Sequence, residues 1–143
     1  KNSENEEDLN MLEVGMKHSV ELVVDKSKTA AAAGSGGLEV FGTPYMIALM
    51  ECTCKELAQK ELDDSQGTVG ISISTNHKAA TPMGMKVTCE AELVEIDRSR
   101  LVFNVVCSDE MDVIGEGQHQ RFIIDNEKFL AGVNAKIDKA KNK

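Results

Sequence analysis

Aromatic side chains are scarce in this chain, at 3% of 143 residues with no Trp and a single Tyr. Exposed nucleobases would find no surface on which to stack. Positive charge is short too, with 16 Lys and Arg against 24 Asp and Glu and a net charge of −8. That excludes a general nucleic-acid binder, which needs a basic face. A polyanionic ligand would also meet an unfavourable mean field, so local lysines, arginines and backbone N–H groups would have to hold it. No apolar run approaches the roughly 20 residues that span a bilayer, and no membrane partner is expected.

Several chemical signatures are missing as well. There is no Gly-x-Ser-x-Gly nucleophile elbow. The Gly34–Gly37 cluster lacks the lysine of a phosphate-binding loop. Cys52 and Cys54 lie about 200° apart on a helix and have no second Cys/His pair nearby, a poor metal clamp. Neither a metal nor a cofactor is therefore expected. All four cysteines (Cys52, Cys54, Cys89, Cys107) fall in apolar periodic segments, which suits reduced, buried thiols in a cytoplasmic protein.

The opening KNSENEEDLN is acidic and polar, unlike a signal or transit peptide. Residues 1–10 are expected to form a disordered tail, with Met11 a candidate native start, and 11–143 to form a single domain. Within that domain, Val20, Leu22 and Val24 alternate as a strand. A small-residue run from Thr29 to Gly37 follows, with a helical turn in its alanines and a mobile glycine loop. The spacing predicts a helix from Thr43, with Thr43 as N-cap and Pro44 at the first helical position. Its first two turns, Tyr45 to Met50, are apolar nearly all round, so the helix should run into a core. It turns amphipathic after Cys54 and ends near Asp63.

Four strands are then expected. Val69–Asn76 alternates Val69, Ile71, Ile73 and Thr75 against polar partners. Met85–Ile96 and Leu101–Ser108 form an antiparallel hairpin. Val113–Ile124 carries Gly115 and Gly117, which mark a bulge or a close backbone approach. Asp125 or Asn126 caps a last helix with Phe129, Leu130, Val133 and Ile137. One helix cannot cover both faces of such a sheet, so the sheet should curl around it in an α+β fold. The outer edge is positioned to continue into a second subunit.

Three residues stand out as chemically capable. Glu51 shares a face with Ile47, Cys54 and Ala58, and burial there would raise its pKa toward that of a general base or nucleophile. The plainer alternative is a Glu at the edge of the core that reaches solvent. His77 ends a strand just before a loop, a common place for functional groups. Thr43 either caps its helix or turns its hydroxyl into a site. Helix geometry separates Thr43 from Glu51 by about 12 Å, so they share a site only across a substrate or with help from another segment. Free N–H groups of Tyr45 and Met46 at the helix start would be able to polarise a carbonyl oxygen.

Three blocks together resemble one family. They are Glu39-Val40-Phe41-Gly42-Thr43-Pro44-Tyr45-Met46 continuing to Glu51, Gly70 through Pro82, and Gly115-x-Gly117-x-His119-x-Arg121. This spacing is similar to that of fluoroacetyl-CoA-thioesterase-like proteins of the hot-dog-fold thioesterase superfamily, from about Met11 to about Ile137. The resemblance implies an antiparallel sheet wrapped around a long central helix, a homodimer, and an active site near the dimer interface. It implies hydrolysis of a short or medium acyl-CoA by a catalytic set of Thr43, Glu51 and His77, with Glu51 attacking directly or activating water. Substrate contacts are expected from Tyr45, Met46, Gly70, Lys78 and Arg121. Where the fluoroacetyl-specific member has an aromatic gate, the aligned position here is Gly37, which argues for a generic acyl group. The alternatives are a non-catalytic acyl-CoA or metabolite binder on the same groove, and a hydratase.

Overall fold

A computed structural model describes residues 11–143; the expected tail over 1–10 lies outside the described residues. The chain forms β1 (Lys17–Val23), a short 3-10 turn (Lys26–Lys28) and α1 (Ala30–Ala33), then α2 (Thr43–Gln59). The strands β2 (Gln66–His77), β3 (Lys86–Asp97), β4 (Arg100–Ser108) and β5 (Val113–Asp125) follow, and α3 (Asn126–Lys141) comes last. All five strands join one antiparallel sheet in the order β1-β3-β4-β5-β2, leaving β1 and β2 as its edges. The architecture is the α+β hot-dog arrangement expected, with α2 packed on the inner face of the sheet.

Alternation decides what faces α2. Val87, Cys89, Ala91 and Leu93 of β3, with Leu101, Phe103, Val105 and Cys107 of β4, are all fully buried. They meet Met46, Leu49, Met50, Cys54, Leu57 and Ala58 of α2 in one core. On β5 the same parity sends Gly115, Gly117, His119 and Arg121 inward. Both glycines mark a close approach: a Cβ at Gly115 would sit 2.6 Å from Met46 Sδ and 2.8 Å from Asn76 O. One at Gly117 would collide with the backbone of Ser74 and Thr75.

Four expectations need correction. Gly42, not Thr43, is the N-cap of α2, and no side chain caps it. Its backbone lies so close to Thr29 and Ala30 that a Cβ would meet them at 3.0 Å, which leaves Thr43 inside the first turn with its hydroxyl free for another partner. The first turns of α2 are not buried all round, since Ala48 is exposed and Tyr45 and Ile47 are half-buried. Strand β2 does not alternate throughout, because the register shifts between Gly70 and Ser72 and pushes Ile71 outward. Finally, Cys54, Cys89 and Cys107 are buried free thiols, but Cys52 is exposed. It lies on the open flank of α2 that the local pattern had assigned to the core.

The expected helix over Phe129, Leu130, Val133 and Ile137 is present, capped by the Asp125 carboxylate, which accepts from Lys128 N–H. None of its residues is buried. No helix among the described residues is long and apolar enough to cross a membrane.

The close approach predicts that Gly115→Ala lowers stability by about 1–3 kcal/mol in urea unfolding, because backbone and a packed thioether must both move. Gly132→Ala in α3 meets nothing within 4 Å. It should be neutral or stabilising by up to about 1 kcal/mol.

Candidate active site

The start of α2 and the end of β2 bring Thr43 and His77 together. Thr43 Oγ1 lies 2.7 Å from His77 Nδ1. Two backbone contacts lock the neighbourhood: Phe41 N–H donates to Thr81 O at 2.8 Å, and Lys78 N–H donates to Ile114 O at 2.6 Å. Thr81 is itself buried, and its hydroxyl donates to the Asp109 carboxylate at 2.8 Å. The rings of His77 and Phe41 meet in a T-shaped contact, with centroids 6.4 Å apart and planes 79° to one another.

Burial pushes the His77 pKa below the ordinary imidazole value, with the Ala79 backbone partly opposing. The neutral ring is thus favoured near pH 7, and His77 Nδ1 and the Thr43 hydroxyl share one hydrogen bond. His77 Nε2 is buried and has no hydrogen-bond partner among the described residues. A buried ring nitrogen of this kind is costly to leave unpaired, so it is an open position for a water or substrate atom. Beside the pair lies a cavity of about 280 Å³ lined mainly by small residues, including Ala30, Ser35, Val40, Ala79 and Ala80. A larger depression of about 660 Å³ lies on the outer face, among Ser74, Asn76, Asn104, Glu116 and Gln118. It contains none of the sequence-predicted site residues.

The other predicted residues divide clearly. Tyr45 and Met46 cannot donate to a substrate oxygen through their N–H groups, because both already bond to Gly42 O at 3.0 Å. That is a correction, and it follows from Gly42 being the cap. Only the Thr43 N–H of this first turn is without a partner among the described residues. Met46 instead places its sulfur against Gly115. Lys78 lines the cavity while pairing with Glu116 at 2.8 Å. The surface arginine Arg100 is taken up by Glu95 at 2.6 Å.

Glu51 lies two turns along α2 from Thr43, is half-buried, and does not line the cavity. Its charge is one of those that act on Arg121 and His119 of β5. Gly70 sits opposite Arg121 across the β2–β5 pair, and a Cβ there would lie 3.2 Å from the His119 ring and 3.4 Å from the guanidinium. Along this chain, then, Thr43 and His77 mark one polar centre, and Glu51, Arg121 and Gly70 mark a second. His119 escaped the sequence reading as a site residue. The signal was its parity: in Gly115-x-Gly117-x-His119-x-Arg121 every named residue faces the core.

Similarity to known proteins bears on this geometry. A family model described as fluoroacetyl-CoA-specific thioesterase matches residues 24–127. The fluoroacetyl-CoA thioesterase of Streptantibioticus cattleyicolor is 42% identical over 98 residues, covering 68% of this chain and 70% of that protein. A crystal structure of a mutant fluoroacetyl-CoA-specific thioesterase superposes with a TM-score of 0.83 at 36% identity, over 87% of this chain and 97% of that one. A mutant of the same enzyme in complex with fluoroacetate and CoA gives 0.77 at 35% identity, over 82% and 99%. A Thermus thermophilus member of the thioesterase superfamily, 22% identical, matches the fold at 0.84 over 92% and 97%.

Acid should destabilise the protein through its buried imidazoles. His77 and His119 both have folded pKa values below the unfolded value of 6.5, so their contribution is present above that pH and is lost as pH falls through the folded values. The thermal midpoint is therefore expected to be level from about pH 7 to 8 and to drop below about pH 6.5. Circular dichroism melts across that range, with His119→Gln flattening the drop, check this.

Proposed function

Because the chain belongs to the fluoroacetyl-CoA-specific thioesterase family, we propose that it hydrolyses a short or medium acyl-CoA to the free acid and CoA. The observation that carries the site assignment is the Thr43–His77 contact beside an open cavity. In this reading Glu51 supplies the electron pair, either attacking the thioester carbonyl or taking a proton from water. His77 carries the proton that the departing thiolate needs, and Thr43 orients the imidazole or the carbonyl oxygen. The small lining residues, and Gly37 nearby in the loop, favour a range of acyl groups over fluoroacetyl alone.

The site is completed by a second copy. His77 and Gly70 stand about 20 Å apart along β2, and β2 is an open sheet edge. Pairing β2 antiparallel with its copy would bring the His77 end of one subunit beside the Gly70 end of the other. Each Thr43–His77 centre would then meet a Glu51 from the partner copy. The same pairing gives the open flank of α2 at Ile47 and Ala48 something to pack against. The buried free thiols suit a reducing cytoplasm.

Thiol release over a panel of acyl-CoAs tests the activity. Thr43→Ala, Glu51→Gln and His77→Ala should each fall by about a hundredfold or more in kcat, and undiminished turnover in all three would sink the mechanism. Tight acyl-CoA binding without turnover would instead favour the non-catalytic reading. Subunit exchange tests the shared site. Mixing inactive Thr43→Ala and Glu51→Gln subunits should restore about a quarter of wild-type activity, since half the dimers carry one intact site of two. No restoration in a mixture that demonstrably exchanges subunits would place the whole site within one chain.

A further inference from the structure

Asp109 lies in the turn between β4 and β5, half-buried and off the cavity wall, yet it reaches the loop that follows His77. Nothing in the reaction as described uses it. One carboxylate oxygen, Oδ1, is held by its own turn, where the Met111 and Asp112 N–H groups each donate to it at 2.8 Å. The other, Oδ2, accepts the Thr81 hydroxyl at 2.8 Å. Burial works against the charge, but these donors outweigh it and hold the Asp109 pKa below its ordinary value. An ionised carboxylate only accepts, so the single proton of the Thr81 hydroxyl is committed to this bond.

Thr81 is 0% exposed, and its hydroxyl would be costly to leave unpaired. Pro82 after it disfavours a helical backbone at Thr81, and an isolated antiparallel bridge joins Val40 to Pro82. Beside that bridge the Phe41 N–H donates to Thr81 O at 2.8 Å. On its other side Phe41 bridges to Thr29. Its segment therefore lies between two neighbours, and Thr81 sets its distance from the His77 loop. The Phe41 ring is itself buried and meets the His77 ring in the T-shaped contact. The loop is tied at its near end as well, where the Lys78 and Ala79 N–H groups both donate to Ile114 O, at 2.6 and 3.4 Å. Ala79 and Ala80, which line the cavity, are thus suspended between a tie to β5 and a tie to the turn before it.

We propose that Asp109 is a positioning residue of the Thr43–His77 site: its carboxylate, held by its own turn, anchors Thr81, which fixes Phe41 against the His77 ring and seats the Ala79–Ala80 wall of the cavity. Neither Asp109 nor Thr81 lines that cavity, so their effect on the reaction passes through the loop and Phe41. The imidazole must hold one tilt to keep Nδ1 on the Thr43 hydroxyl while Nε2 stays open, and a looser ring would spend less time in that geometry. For its effect on turnover the inference rests on the thioesterase reading; for its effect on the ring it stands on the hydrogen bonds alone.

Three substitutions separate positioning from mere support. Thr81→Val keeps the side-chain shape and removes the hydroxyl; it should lower kcat for acyl-CoA hydrolysis about tenfold, with KM within about twofold. Thr81→Ser keeps the donor and loses a buried methyl, so it should melt lower yet keep kcat within about twofold of wild type. Asp109→Ser keeps an oxygen that can cap the turn but is too short to reach Thr81, and should match Thr81→Val. The double variant of Asp109→Ser with Thr81→Val should be no worse than either alone, because both break one link. A kcat that falls in step with melting temperature across the series, additive losses in the double variant, or a loss confined to KM would overturn the proposal. Asp109 sits in a surface turn, so Asp109→Ser carries the test if Thr81→Val does not fold. NMR titration of the His77 ring carbons needs no turnover: in Asp109→Ser the His77 pKa should rise toward 6.5 as packing around the ring loosens. An unchanged His77 titration there would also overturn the anchor. Wild-type protein that hydrolyses no acyl-CoA would remove the hydrolase reading, and the titration would then decide the anchor by itself.

Discussion

The fold turns on how closely α2 approaches β5. Side chains at Gly115 and Gly117 would fill the space that Met46 and the neighbouring β2 backbone occupy. Without that contact, α2 would stand further off the sheet, and the Thr43 hydroxyl would not reach His77 at the end of β2. The position of the helix start is therefore set by the missing Cβ of Gly115 on β5, while that of Gly117 lets β2 lie close to β5. Gly42 does the same at the other boundary, where its backbone lies against Thr29 and Ala30.

Polar groups on the inner face are the second constraint. A sheet wrapped on a helix should turn only apolar residues inward, and β3 and β4 do so without exception along their centres. Strands β5 and β2 break that rule with His119, Arg121, Thr75 and His77. These groups persist because each has a partner: Thr75 the Glu116 carbonyl, His77 the Thr43 hydroxyl, His119 Ser72 O and Arg121 Thr68. Polar character is concentrated on β2 and β5, at one side of the sheet, and the apolar core is kept toward the middle.

Legibility differed by residue for physical reasons. The hairpin of β3 and β4 was plain, because both strands bury a clean alternate set and neither side chain parity nor register is interrupted until Leu93. Strand β2 misled at Ile71, since a bulge changes parity without any local sequence mark beyond a glycine. Thr43 was read as a cap because threonine before proline is a good capping pattern. Gly42 took that role because only a residue without a Cβ fits against Thr29, and nothing near position 42 in sequence announces that neighbour. Cys52 and Ala48 belong to an apolar stretch of α2 yet are exposed, because the sheet covers only one side of that helix.

Sequence by itself determined the central helix, the β3–β4 hairpin, the missing metal and phosphate motifs and the unusual place of Glu51 on an apolar face, while Thr43 and His77 gained their weight from the family resemblance. The elements follow from periodicity and composition, which are local properties of the chain; the pairing of β2 with β5 rather than with β3 does not. Tertiary structure alone decided which of those residues meet. It joined Thr43 to His77 across 34 positions and left Glu51 at a separate centre. It also fixed His119 as a neutral acceptor for Arg121. Such pairings depend on register, bulges and close approaches between distant segments, and no local pattern encodes the distance between two side chains on different strands.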